Sequence, residues 1–135
     1  MRILFLCSAN IFRSQMAEAF FNKYSKKNKA ESAALIKPQD KMHVLVIRAM
    51  EEKGVDISNN KSKKVSDDMI KEADIIILMN PVLKEFIKLN KKIEVWNIPD
   101  VIAKETDEHL YPEFVKARDV IENKVKELIA RIDFT

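Results

Sequence analysis

Two continuous apolar runs of strand length limit what this chain can fold into. Residues 3–6 read Ile-Leu-Phe-Leu near the amino terminus, and residues 74–79 read Asp-Ile-Ile-Ile-Leu-Met, which is apolar from Ile75 onward. An uninterrupted apolar run of this length is typical of a strand buried on both faces, as in a parallel sheet covered by helices. The two runs therefore predict an α/β fold with a parallel sheet.

The other segments alternate between helical and strand patterns. Two further strands are predicted over 30–36 and 93–98. Helical spacing and helix-start signals predict five helices, over 14–27, 41–53 and 66–72, after Asn80-Pro81, and from Pro112 onward. Ser66 fits the N-cap of the third helix, and Gly54 fits the left-handed cap of the second. The order β-α-β-α-α-β-α-β-α predicts a four-stranded parallel sheet flanked by helices on both faces, in a single domain over 1–135.

Composition and charge exclude several classes of protein. No apolar segment is long enough to span a bilayer, and the first residues lack the pattern of a secretory signal, so we expect a cytoplasmic protein without a membrane partner. Lys and Arg exceed Asp and Glu by only 24 to 21, with no basic stripe, which argues against a nucleic-acid partner. The single cysteine cannot form an internal disulfide.

That cysteine, Cys7, lies at the C-terminal end of the first predicted strand, six positions before Arg13. In open α/β sheets, ligands bind at this edge. Five residues lie between Cys7 and Arg13: Ser8, Ala9, Asn10, Ile11 and Phe12. A loop of this length suffices to surround a tetrahedral oxyanion with backbone N–H groups above a helix N-terminus. These groups and the Arg13 guanidinium would also stabilise the Cys7 thiolate, which is the nucleophilic form. The segment therefore predicts a phosphate-binding loop around a nucleophile.

Individual residue types in this segment suit that chemistry. The planar fork of Arg13 can bind two phosphoryl oxygens, and the Ser14 hydroxyl is close enough in sequence to donate to the sulfur. Asn10 tolerates the positive φ that a tight anion loop requires. The alternative is that Cys7 is a small buried apolar residue, the usual role of a lone cysteine. The combination of strand, Cys, Arg, Ser and helix favours the nucleophile.

The sequence resembles one protein family. The loop CSANIFRS is similar to the C-x5-R-S loop of the low-molecular-weight protein tyrosine phosphatases, a family that also includes the thioredoxin-linked arsenate reductases. Further similar segments are RSQMAEAF, ESAA, EEKGVDISNNKSKKV, ADIIILMN and VWNIPDV. The resemblance covers nearly the whole chain, and it implies a sheet with the strand order 2-1-3-4.

The resemblance also implies a role for each matched residue. Cys7 would be the nucleophile, Arg13 would bind the phosphate, and Ser14 would donate to the thiolate. Asn10 would brace the loop, with Ser32 as its hydrogen-bonding partner. Asp100 would be the general acid. An Asp after Pro is otherwise a common turn former, so the alternative acids are Glu105 and Asp107.

Three features depart from the family pattern. Ala9 stands where most members have Gly, and Val101 replaces the Pro that follows the acid. The additional cysteines of the arsenate reductases are missing from the region 80–92. These departures leave the substrate open.

The leading hypothesis is a phosphomonoesterase that hydrolyses phosphotyrosine or a small aryl phosphate through a cysteinyl-phosphate. Its partner would be a phosphorylated protein or a small phosphomonoester, with inorganic phosphate and other oxyanions as inhibitors. The alternatives are an arsenate reductase that needs an external thiol, and a binding module that has kept the phosphate loop but lost turnover. We expect a monomer, with no metal and no cofactor because metal-ligand spacing is lacking. His43 and His109 show no partner pattern, and Trp96 is expected in the core.

Overall fold

The computed structural model describes residues 1–87 and 93–133. Its strands are β1 (Arg2–Cys7), β2 (Lys29–Ala34), β3 (Ile75–Leu78) and β4 (Ile93–Val95). They form one parallel sheet in the order β2-β1-β3-β4, which confirms the predicted α/β fold and its strand order. The C-terminal edge of β1 therefore lies between two neighbouring strands.

The helices are α1 (Arg13–Tyr24), α2 (Val44–Glu51), α3 (Asp67–Glu72) and α4 (Tyr111–Ile132), with short 3₁₀ helices at Pro81–Phe86 and Glu108–Leu110. The predicted caps are present. Ser66 Oγ accepts a hydrogen bond from the Met69 N–H at 3.2 Å, at the start of α3. Gly54, with φ +74°, closes the end of α2, where its N–H bonds to the Glu51 carbonyl at 2.9 Å.

Two helices are shorter than predicted. Helix α1 ends at Tyr24 rather than near residue 27, because Ser25 and Asn28 turn away and hydrogen-bond to the Asp133 carboxylate. Helix α2 begins at Val44 rather than at residue 41, because the His43 imidazole accepts the Leu45 N–H and caps the helix there. The helix predicted after Asn80 is a 3₁₀ helix, and any continuation into 88–92 lies outside the described residues.

Two strands are also shorter than predicted at their C-terminal ends. Strand β2 ends at Ala34, whose N–H and carbonyl pair with the main chain of Lys63 and Val65 instead of extending the sheet. Strand β4 ends at Val95, after which the Trp96 and Ile98 N–H groups bond to the end of β3 and its continuation. Both departures bring loop residues to the C-terminal edge of the sheet.

The core has two layers, one on each face of the sheet. Alternate side chains of β1 point to opposite faces, with Ile3, Phe5 and Cys7 on one and Leu4 and Leu6 on the other. The first layer packs against α1, α2 and α4, and the second against α3 and the 3₁₀ helix Pro81–Phe86. Within the described residues, no helix is both long and apolar enough to cross a bilayer.

Candidate active site

The segment Cys7–Arg13, which joins β1 to α1 and which we call the Cys7 loop, forms one wall of a cavity of about 260 Å³ at the C-terminal edge of the sheet. The side chains that face inward are nearly inaccessible: Cys7 is 3% exposed, Arg13 is 4% exposed, and Asn10 and Ser14 are fully buried. The opposite wall includes Asp100–Ala103, and we call the segment Pro99–Ala103 the rim loop. The two loops face each other across a small, deep site.

Two hydrogen-bond donors are directed at the sulfur. The Asn10 N–H lies 3.3 Å from Cys7 Sγ, and Ser14 Oγ lies 2.8 Å from it. Asn10 Nδ2 donates to Ser14 Oγ at 2.8 Å, which leaves the Ser14 hydroxyl proton free to be directed at the sulfur. Groups in this arrangement can donate hydrogen bonds to a sulfur that carries negative charge during a reaction.

Asn10 braces the loop through both its backbone and its side chain. Its φ of +58° is the only positive value at a non-glycine residue among those the structure describes, so Ala9 carries no such strain. Its side-chain N–H groups reach Ser14 Oγ and, at 2.9 Å, Ser32 Oγ. Its side-chain oxygen accepts the Lys63 N–H at 3.2 Å. The structure thus brings together the loop residues that the sequence singled out and Ser32.

A second layer of polar side chains, which the sequence reasoning missed, supports this brace. Gln15 Nε2 donates to the Asn10 carbonyl at 3.2 Å, and Asn60 Nδ2 donates to Gln15 Oε1 at 3.1 Å. The Ser62 hydroxyl donates to the Ala9 carbonyl at 2.6 Å. The only sequence signal for Asn60 and Ser62 was their place within a segment that resembles the family.

One carboxyl group lies at the far end of the hydrogen-bond chain that starts at the sulfur. The Ser32 hydroxyl donates to Glu18 Oε1 at 3.1 Å, which connects Glu18 to Cys7 through Ser32, Asn10 and Ser14. Burial raises the pKa of the Glu18 carboxyl above its ordinary value, although the Ser32 hydrogen bond and the nearby Lys63 ammonium act in the opposite direction.

Arg13 spans the site from the loop to the opposite wall. Its Nη1 donates to the Ile98 carbonyl at 2.9 Å, and its Nη2 lies 3.8 Å from Asp100 Oδ2. The Asp100 side chain is 51% exposed, and its other oxygen accepts the Val101 N–H at 2.9 Å. Asp100 therefore lies on the rim of the cavity, above the buried guanidinium.

The alternative acids lie elsewhere. Neither Glu105 nor Asp107 lines the Cys7 cavity, and Asp107 Oδ2 is occupied by the Lys104 N–H at 2.8 Å. Trp96 is buried and packs near Phe5, as expected, and His109 is exposed. Among the residues described, no group of three or more His, Cys, Asp or Glu side chains could hold a metal ion.

A family model for low molecular weight phosphotyrosine protein phosphatase matches residues 2–134. The chain belongs to this family. One similar protein is arsenate reductase from Bacillus subtilis (strain 168). It is 31% identical to this chain over 129 residues, which cover 93% of this chain and 92% of the reductase. The family comprises cysteine-based phosphatases and arsenate reductases, so the chain is an enzyme of that kind.

Two solved structures show how closely the phosphatase fold is shared. Low molecular weight protein tyrosine phosphatase from T. tengcongensis gives a TM-score of 0.86 at 23% identity, over 98% of this chain and 99% of that one, a likeness of fold alone. Arsenate reductase from Archaeoglobus fulgidus DSM 4304 gives a TM-score of 0.75 at 29% identity, over 95% of this chain and 98% of that one. Both activities therefore occur on this fold.

Proposed function

We propose that this chain is a phosphomonoesterase that works through a cysteinyl-phosphate intermediate. The observation that carries the proposal is the presence, around one cavity, of a sulfur with two directed donors, a buried guanidinium and a carboxyl group on the rim: Cys7, Arg13 and Asp100. The likeness to the family supports phosphotyrosine in a protein, or a small aryl phosphate, as the substrate. Inorganic phosphate should compete for the same loop.

In the first step the Cys7 thiolate attacks phosphorus, so that a P–S bond forms as the ester P–O bond breaks. Asp100, in its protonated form, gives its proton to the departing oxygen. The loop N–H groups and Arg13 stabilise the negative charge on the remaining phosphoryl oxygens, which is the main source of catalysis in phosphoryl transfer.

In the second step water attacks phosphorus and the P–S bond breaks. The Asp100 carboxylate takes the proton from the water, which returns it to its starting form. The electron pair of the broken bond returns to sulfur, where the Ser14 hydroxyl, 2.8 Å away, stabilises the thiolate as it leaves. Phosphate is released and every group is back in its initial state.

The test is hydrolysis of p-nitrophenyl phosphate by the wild type and by Cys7→Ser. Removing the nucleophile should lower kcat by about 10⁴-fold or more. Rapid quenching should trap one phosphate per chain on Cys7. A wild type that binds phosphate but releases none in a single turnover would contradict the proposal and support the phosphate-binding module.

Arsenate reduction is the second candidate, because curated relatives at about 30% identity bear that name. After arsenate adds to a cysteine, a second thiol must attack that sulfur to expel arsenite, with formation of a disulfide. The 135 residues contain one cysteine, so this second thiol would have to come from another molecule. We expect arsenate to inhibit aryl phosphate hydrolysis competitively.

The two candidates are separated by an NADPH-consumption assay with thioredoxin and thioredoxin reductase, and without glutathione. We expect no sustained arsenate-dependent oxidation of NADPH. Oxidation that persists over many turnovers and disappears in Cys7→Ser would favour the reductase.

A further inference from the structure

His43 connects the start of α2 to the rim loop and has no part in the proposed chemistry. Its Nδ1 accepts the Leu45 N–H at 3.1 Å, so the ring proton is on Nε2. Nε2 lies 2.9 Å from the Ala103 carbonyl and therefore donates to it. One imidazole thus caps a helix with one nitrogen and holds the end of the rim loop with the other.

The imidazole is itself held in place by aromatic packing. Its ring centre lies 5.1 Å from that of Phe114 in α4, and Phe114 packs edge-on against Phe12 at 4.9 Å. Phe12 immediately precedes Arg13 in the Cys7 loop. His43 is therefore fixed relative to the phosphate-binding loop by side chains from α4 and from that loop.

Few other hydrogen bonds hold the rim loop in the part of the chain that the structure describes. Arg13 bonds to the Ile98 carbonyl just before it, and the Val101 N–H bonds to the neighbouring Asp100 carboxylate. The Ile102 side chain is 92% exposed and so contributes little packing. Val101 and Ala103 pack partly buried against the core, and the bond from His43 to the Ala103 carbonyl adds a directional contact at the far end.

We infer that His43 is a positioning residue that holds the rim loop so that Asp100 stays above Arg13 and Cys7. The inference rests on the proposed function, because it matters only if Asp100 transfers a proton. A general acid must lie within hydrogen-bond distance of the leaving oxygen, and a displacement of about 1 Å can cost about 100-fold in rate. His43 also lines the Cys7 cavity, but both of its ring nitrogens are engaged by the main chain, so it acts through the loop and not on the reacting atoms.

The test uses His43→Asn, because an Asn oxygen can still cap α2 while its shorter side chain no longer reaches Ala103. We expect a loss of about 10-fold to 100-fold in kcat on phenyl phosphate, whose leaving group needs a proton, and less than about 3-fold on p-nitrophenyl phosphate. Alkylation of Cys7 by iodoacetate should keep its wild-type rate. His109→Asn, at an exposed position, is the matched control and should leave both rates unchanged.

A double variant separates positioning from a general structural effect. If His43 acts through Asp100, then His43→Asn should cause no further loss on phenyl phosphate in the Asp100→Asn background. Equal losses on both substrates, or the same loss with and without Asp100, would overturn the inference alone. A wild type no more active than Cys7→Ser would overturn the proposed function and this inference together.

Discussion

The two loops that face each other across the cavity are built in opposite ways. In the Cys7 loop the inward-facing side chains are buried, and Asn10 alone bonds to Ser14, Ser32 and the Lys63 main chain. The rim loop is largely open to solvent: the Asp100 side chain is half exposed, and Ile102 is almost fully exposed. One loop is fixed by many hydrogen bonds, and the other by one hydrogen bond near each end and by the packing of Val101 and Ala103 against the core.

This difference matches what each loop would have to do in phosphoryl transfer. The phosphoryl group carries similar charge in both steps, so dipoles that are fixed before the reaction stabilise it at no reorganisation cost. The acid must meet a leaving oxygen whose position varies with the substrate, and then a water molecule. A loop with few hydrogen bonds allows that adjustment.

Arg13→Lys should have the largest effect, because Arg13 contributes to both loops. Lysine lacks the planar fork, so it cannot bind phosphoryl oxygens and the Ile98 carbonyl together. We expect kcat/KM for p-nitrophenyl phosphate to fall by about 10³-fold, with weaker inhibition by inorganic phosphate. Arg48→Lys, at a half-exposed position in α2, is the matched control. A loss of less than about 10-fold would mean that charge alone suffices.

Asp100→Asn should have the next largest effect, and the effect should depend on the substrate. An alkoxide or phenolate of high basicity cannot leave without a proton, so we expect a loss of about 10²-fold or more on phenyl phosphate. The loss on p-nitrophenyl phosphate should be much smaller. Equal losses across a series of leaving groups would show that Asp100 has a structural role. Asp107→Asn is the matched control, because Asp107 lies outside the Cys7 cavity.

Much of this architecture could be predicted because it depends on local pattern. The two apolar runs identified β1 and β3, and the spacing of Cys7, Arg13 and Ser14 identified the loop between a strand and a helix. The predicted ends of helices and strands were less accurate, because they depend on partners distant in the sequence. Asp133 hydrogen-bonds to residues just after α1, and the Lys63 main chain pairs with the end of β2.

The hydrogen bonds that support the site could not be predicted from the sequence, because they also join residues that are far apart in the chain. Gln15 and Asn60 are 45 positions apart, and His43 and Ala103 are 60 positions apart. No periodicity or motif connects residues at such separations, so only the folded chain brings them together. The resemblance to the phosphatase family supplied Ser32 and Asp100, which residue chemistry alone would not have singled out.

Asn10→Ala should mainly reduce stability. Alanine at φ +58° costs about 1 kcal/mol, and the buried groups that lose their Asn10 partner cost about 1 kcal/mol or more in addition. We therefore expect the free energy of unfolding in urea to fall by about 2 kcal/mol, with slower alkylation of Cys7. Ser32→Ala, which removes only one partner, should cost less. An unchanged unfolding midpoint would show that the brace does not hold the loop.

Glu18→Gln should have the smallest effect on stability. We expect it as a change in how the free energy of unfolding depends on pH. Because burial raises the pKa of Glu18 in the folded protein, the folded state binds more protons than the unfolded state just above the ordinary carboxyl pKa. The stability of the wild type must therefore fall, through this group, as pH rises across that window. Gln does not titrate, yet its amide oxygen can still accept the Ser32 hydroxyl.

The free energy of unfolding of Glu18→Gln minus that of the wild type should therefore increase between about pH 3 and about pH 7, by no more than about 1 kcal/mol. Urea unfolding at several pH values measures this difference, with Glu127→Gln at an exposed position of α4 as the matched control. If the difference shrinks as pH rises, the attraction of the ionised carboxylate to Lys63 and Ser32 outweighs its burial. In that case the Glu18 charge stabilises the hydrogen-bond chain that supports the Cys7 loop. The Cys7 loop would then be held more firmly, relative to the rim loop, at neutral pH than at acidic pH.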